Sequence, residues 1–148
     1  MERSFHMLLF RAFHARRSYL GPSLKELGFG SGQPKLVDYL DRRGPCRQRA
    51  LSDYFEVDPA AVSRMLSSLE KRGYVVRRVD GARRRRDLVE VTPAGRKAVA
   101  RWRLRSQEAE DVMLRGFTEE ERARFAQYLA RAYENFRAER GGDRPCTS

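Results

Sequence analysis

Apolar residues recur along most of the chain at the three- and four-residue spacing of a helix face, and only briefly with the alternation of a strand. Phe5, Leu8, Leu9, Ala12 and Phe13, followed by Tyr19 and Leu20, predict a helix over residues 4 to about 19, broken at Gly21-Pro22. Gly28, Gly30 and Gly32 predict a loop ending at Pro34, a residue suited to the first turn of the next helix. Leu36, Val37, Tyr39 and Leu40 supply that helix with its apolar side, and Gly44-Pro45 stops it. A short helix is expected over residues 48–55, with Leu51 and Phe55 facing inward and Val57 packing after a turn.

The clearest start and stop signals belong to the following segment. Asp58 is a good N-cap, Pro59 a good first helical residue and Gly73 a ready C-terminal stop, while Lys71 and Arg72 sit where cations favour the helix dipole. Between them Val62, Met65, Leu66 and Leu69 form one buried stripe. Tyr74-Val75-Val76 reads as a short strand and Leu88, Val89 and Val91 as its antiparallel partner. Asp80-Gly81 makes the turn between them, and Arg83, Arg84, Arg85 and Arg86 form its return limb. Thr92 then caps a helix with Pro93 at its first position, and Val99, Trp102, Ser106, Ala109 and Met113 give it a seam for another helix, in this chain or a second copy. Gly116 breaks the segment, and Thr118 with Glu121 forms a capping box. Phe125, Tyr128, Leu129, Ala132, Tyr133 and Phe136 line one face of a last helix that Gly141-Gly142 ends, and residues 143–148 are expected to be a disordered tail. The order is four helices, two strands and two helices: a mainly α fold without internal repeats.

The length of 148 residues suits one domain with a real core, or two small lobes sharing one. The formal net charge is +11, and residues 71–87 hold eight basic side chains against two acidic ones, which is +6 of that total. Polyanions are therefore the expected partners, with nucleic acid ahead of an acidic membrane surface. Residues 1–20 carry charges throughout, and no apolar run approaches a bilayer span, so neither a signal peptide nor a membrane anchor is expected and the location should be cytoplasmic. Cys46 and Cys146 make neither a metal spacing nor a CxxC, a disulfide is not expected in that compartment, and a redox-sensing role would have only general positive charge to activate either thiol.

An enzyme is not expected. The chain has no glycine-rich phosphate loop, no metal-ligand cluster and no serine-histidine-acid pattern, so no cofactor or metal is implied. His6 and His14 fall about two turns apart on the first helix, and His14 suits a core or interface position. Glu119, Glu120 and Glu121 read as a helix start.

On a helical wheel, Ala60, Ser63, Arg64, Ser67 and Lys71 fall opposite the buried stripe of residues 59–72. A small polar face lets a helix descend into a major groove, where hydroxyls and an arginine reach base edges or phosphates. An ordinary solvated face would look the same, but the short helix before it completes a helix-turn-helix, and the strand pair after it would be a wing. Four arginines at a hairpin tip repel one another; a phosphate backbone relieves that repulsion and releases counterions. Double-stranded DNA is the expected partner, with a sequence-indifferent, architectural nucleic-acid binder as the alternative.

The run LSDYFEVDPAAVSRMLSSLEKRGYVVRR, the arginine cluster after it and then VEVTPAG closely resemble the multiple-antibiotic-resistance regulator (MarR) family of winged-helix repressors. The likeness spans residues 24–95 by motif and the flanking helices by placement. It implies a winged helix-turn-helix over residues 32–92, and a helical dimerisation region formed by residues 1–31 and 93–140 of two chains. It implies a homodimer on a palindromic operator, with Ala60, Ser63, Arg64 and Ser67 at the major groove and Arg84 and Arg85 at phosphates or the minor groove. Arg77, Arg83 and Arg86 join the candidate DNA contacts on charge alone. Two positions depart from the family pattern. Arg83 stands where the wing usually carries an acid, with Asp80 and Asp87 the acids nearest to replace it, and Arg47 stands where the short helix is often capped by threonine. Relatives of this kind often bind small, commonly aromatic and anionic ligands between dimer region and reading head. Tyr19, Tyr39, Phe55 and Trp102 fall in the corresponding segments, but such residues serve equally as core, and no ligand site is assigned.

Overall fold

The computed structural model describes residues 4–81 and 85–142. In chain order these form α1 (Phe5–Leu27), α2 (Gln33–Arg43), β1 (Cys46–Arg47), α3 (Gln48–Phe55), α4 (Pro59–Arg72), β2 (Val75–Asp80), β3 (Arg85–Val91), α5 (Pro93–Met113) and α6 (Glu119–Gly142). Two compact units divide the chain, Met1–Ala109 and Glu110–Ser148. The tail expected to be disordered lies outside the described residues. None of the described helices is long and apolar enough to cross a membrane.

The first unit is built around one apolar core. Leu36, Val37 and Leu40 of α2, Leu51 of α3 and the stripe Val62, Leu66 and Leu69 of α4 meet Val75, Val89 and Val91 of the sheet and Val99 of α5. Met65, Tyr39, Phe55 and Trp102 are only partly buried against it. The helical periods written in the sequence are thus the periods of burial.

Two features depart from the sequence expectation. Helix α1 does not stop at Gly21-Pro22 but runs to Leu27, with Pro22 inside it. A mid-helix proline forfeits one backbone hydrogen bond and costs ~3 kcal/mol. Leu24 and Leu27 carry the stripe of Leu20 beyond it, however, Leu24 in part and Leu27 fully buried, and a fully buried leucine returns about 1.5–3 kcal/mol. The helix ends instead at Gly28, whose left-handed backbone (φ 74°) donates its N–H to the carbonyls of Leu24 and Lys25. The sheet also has three strands, in the antiparallel order β1-β3-β2. The unexpected β1 pairs Cys46 with Val89 and Arg47 with Leu88, covering the far edge of β3. The wing strands are also longer than the sequence suggests, because Arg77, Arg78 and Asp80 pair with Val89, Leu88 and Arg85. His14 is exposed and stacked on Phe10 at 5.8 Å, and so is not a core residue of the chain.

In the second unit, Gly116 turns the chain with φ 85° and the expected capping box starts α6. Thr118 donates its N–H to Glu121 Oε2 at 2.8 Å, and Glu121 returns its N–H to Thr118 Oγ1 at 3.1 Å. Phe117 packs on Phe125 with ring centres 6.1 Å apart. The rest of the apolar face of α6 is open, with Tyr128, Leu129, Tyr133 and Phe136 all exposed.

Candidate nucleic-acid interface

Helices α3 and α4 form the helix-turn-helix expected from the sequence. The turn between them places Glu56 in the left-handed region (φ 52°) and closes with Val57 donating to the Ser52 carbonyl at 3.1 Å. Asp58 then caps α4, its carboxylate accepting the Ala61 N–H at 3.1 Å. Because Val62, Leu66 and Leu69 are fully buried, the opposite side of α4 must face outward. Ala60 and Arg64 lie exposed there, with Lys71 near its end.

Ser63 and Ser67 sit elsewhere on the helix. Both are half-buried, on the flank that faces β2. The Ser67 hydroxyl donates back to the Ser63 carbonyl at 3.0 Å. The guanidinium of Arg77, a candidate DNA contact on charge alone, lies along this flank, donating to the Ser63 carbonyl at 2.7 Å and to Ser67 Oγ at 3.0 Å. Its backbone N–H donates to Glu70 Oε2 at 3.0 Å. Ser68, which the sequence reading passed over, is exposed one turn beyond Arg64. Its spacing from Ala60 and Arg64 was a usable signal, but only the position of β2 decides between it and Ser67.

The base of the wing is also held. Arg78 pairs with Glu90 across the strands at 3.0 Å. Thr92 accepts the Gly95 N–H on its hydroxyl at 3.0 Å, capping α5, and donates that hydroxyl to the Gly73 carbonyl at 2.6 Å. Of the four wing arginines, Arg83 and Arg84 lie outside the described residues, while Arg85 and Arg86 belong to the backbone of β3. Arg47 stands at the N-cap of α3 without a side-chain capping bond, as its replacement of a threonine implied.

Behind the helix-turn-helix, α2 is tied to α5 by charge. Arg103 bonds Asp38 and reaches Asp41 at 2.8 Å, and Arg96 pairs with Asp41 at 3.5 Å. Burial of Arg103 favours its neutral form, but hydrogen bonds and attraction from Asp38 and Asp41 outweigh that and raise its pKa. Among the described residues no three His, Cys, Asp or Glu side chains are grouped to hold a metal ion. The arrangement as a whole is a positively charged protein with a small-faced helix outward and a strand pair beside it, which suits groove and phosphate contact.

Comparison with known proteins agrees with this geometry. Residues 27–86 match a family described as the MarR family. The uncharacterized HTH-type transcriptional regulator YxaD of Bacillus subtilis is 27% identical over 125 residues, 84% of this chain and 87% of that protein. A crystal structure of MarR superposes with a TM-score of 0.81 at 29% identity, covering 96% of this chain and 98% of that one. BpsR of Bordetella bronchiseptica, whose DNA binding is regulated by 6-hydroxynicotinic acid, superposes with a TM-score of 0.79 at 21% identity, covering 88% and 94% of the two chains.

Proposed function

We propose, on the premise that the chain is a DNA-binding transcriptional regulator of the MarR family, that it acts as a homodimeric repressor on a palindromic operator, with one α4 in the major groove of each half-site. The observation that carries this reading is the outward face of α4, small and polar around Arg64 and followed directly by the arginine-rich wing segment. Ala60, with the flanking Ser63 and Ser67, lets the helix approach; Arg64 reaches base edges or phosphate. Arg83, Arg84, Arg85 and Arg86 engage the backbone or the minor groove beside it.

A second copy of the chain is the natural cover for apolar surface that one copy leaves in water. Phe5, Leu8, Leu9 and Phe13 are exposed on α1, and Tyr128, Leu129, Tyr133 and Phe136 on α6. A small ligand relieves repression by favouring a different spacing of the two reading helices, through unequal affinity for the two states. The regulation of BpsR by 6-hydroxynicotinic acid supports this last step, in a protein of the same fold.

The test is selection of bound duplexes from a random DNA pool. An enriched inverted repeat, its half-sites about one helical turn (~34–36 Å) apart, is expected. Binding that survives without any enriched sequence would instead favour the architectural alternative.

A further inference from the structure

We propose that Arg77 is a positioning residue for DNA reading. It fixes the rotation of α4 and ties the wing to it, so that Ala60, Arg64, Ser68 and Lys71 meet the groove while Ser67 does not read bases. The proposal rests on the regulator reading above and narrows its contact surface.

Ser63, Ser67 and Glu70 recur at i, i+4 and i+7 along one flank of α4. Arg77 touches all three. Its guanidinium donates to the Ser63 carbonyl at 2.7 Å and to the Ser67 hydroxyl at 3.0 Å, and its backbone N–H donates to Glu70 at 3.0 Å. A single residue of β2 thus grips α4 over two turns. The grip is directional, because the guanidinium is a planar fork with fixed donor geometry.

It also consumes the hydrogen-bonding capacity of the Ser67 hydroxyl. A serine hydroxyl has one proton to donate. That of Ser67 is given to the Ser63 carbonyl at 3.0 Å, and the oxygen accepts from Arg77 in addition. No donor is left there for a base acceptor such as guanine N7 or O6. The row Ala60, Arg64, Ser68 and Lys71 runs along the other side at i, i+4, i+8 and i+11, and all four are exposed. That row keeps its hydroxyl and its two cations at the surface.

The grip has a mechanical consequence. Arg77 lies on the strand that leads into the arginine-rich turn, so a wing seated on phosphate fixes the rotation of the reading helix through the Arg77 fork. Wing contact and base reading are coupled by this residue without its touching DNA.

The test compares wild type with Arg77→Lys, Arg77→Ala, Ser68→Ala and the double variant Arg77→Ala with Ser67→Ala on the selected operator and on a scrambled duplex, over a range of salt. Arg77→Lys keeps the charge and loses the fork. It should lower the operator-to-scrambled affinity ratio about tenfold, as a displaced base contact does, with the salt slope unchanged. Ser68→Ala should lower the same ratio, and Ser67→Ala should add nothing in an Arg77→Ala background. A salt slope lower by about one phosphate in Arg77→Ala would make the residue a backbone contact and overturn the proposal. Wild-type discrimination in Arg77→Lys would overturn it as well. A wild-type chain that does not itself tell operator from scrambled DNA sinks the regulator reading, and with it the base-reading half of this one. The tether is judged separately, without DNA, by an unfolding cycle of Arg77→Lys and Ser67→Ala. A coupling of about threefold or more in the unfolding equilibrium is expected, and none would overturn the grip.

Discussion

Gly95 stands against the carbonyl oxygen of Tyr74 with no room for a side chain between them. A Cβ at Gly95 would run into that oxygen and lie 2.8 Å from Val91 Cγ2. The same carbonyl accepts the Thr92 N–H at 3.0 Å. The threonine-proline-alanine-glycine run is therefore a clip, with Thr92 bonding across to Gly73 and Tyr74 and Gly95 letting α5 start against that backbone. Gly95→Ala should cost about 1–3 kcal/mol by overpacking, since backbone cannot give way as a side-chain tip can. Gly21 within α1 has nothing within 4 Å of its would-be Cβ, so Gly21→Ala should instead gain about 0.5–1 kcal/mol. Urea midpoints of the two variants moving in the same direction would refute this account.

Arg103 is the cross-brace between α5 and α2. It faces Asp38 and Asp41 together, and all three side chains are about a third exposed or less. Arg103→Ala should cost about 1–2 kcal/mol in chemical unfolding, the lower part of the range for hydrogen bonds to charged groups because water still reaches the site. Arg103→Lys should recover only part of the loss, because one ammonium does not span both carboxylates as a guanidinium does. Full recovery by lysine would mean that charge alone matters there.

How legible the fold was depended on whether local chemistry decided the matter. Asp58, Pro59 and Gly73 delimit α4 by caps that act within a few residues, and Thr118 with Glu121 starts α6 in the same way. Pro22 misled because its cost is local, whereas the burial of Leu24 and Leu27 that outweighs it is tertiary. Strand β1 is two residues with no alternation to read, and it exists because β3 offers an edge. On α4 the buried stripe fixed the outward side but not its flanks. Ser67 and Ser68 have the same chemistry, and only the placement of Arg77 separates them.

Cys46 tests the idea of a redox-sensing thiol. It lies in β1 opposite Val89 and packs against the core, and burial pushes its thiol pKa up. A raised pKa means less thiolate at neutral pH and slower attack on disulfides or alkylating reagents. Labelling of Cys46 in the folded protein, followed by mass spectrometry, should be slower than that of a free cysteine at pH 7–8 and should accelerate on denaturation. Fast labelling in the native state would revive the sensing role.

Dimerisation should depend on the open face of α1. Phe13 is 62% exposed in the single chain, between Leu9 and the turns that follow. Covering it with a second copy would return much of the transfer energy of a buried aromatic, and Phe13→Glu would place a charge there instead. Sedimentation velocity should then show a monomer that keeps its helical content, with operator affinity reduced because the half-sites are no longer held together. A variant that stays dimeric would move the interface away from this face.

The wing arginines should act through counterions more than through sequence. Arg84→Ala with Arg85→Ala removes two cations from a segment whose charge is +6 over residues 71–87. If both meet phosphate, the slope of log affinity against log salt should flatten by roughly 1.8, at about 0.9 per contact. Operator and scrambled DNA should lose affinity together, because a phosphate contact carries no base information. Arg64→Ala should do the opposite, costing about 1–3 kcal/mol on the operator and much less on scrambled DNA. An unchanged slope in the double variant would mean that the wing does not engage the backbone, leaving α4 as the principal DNA contact.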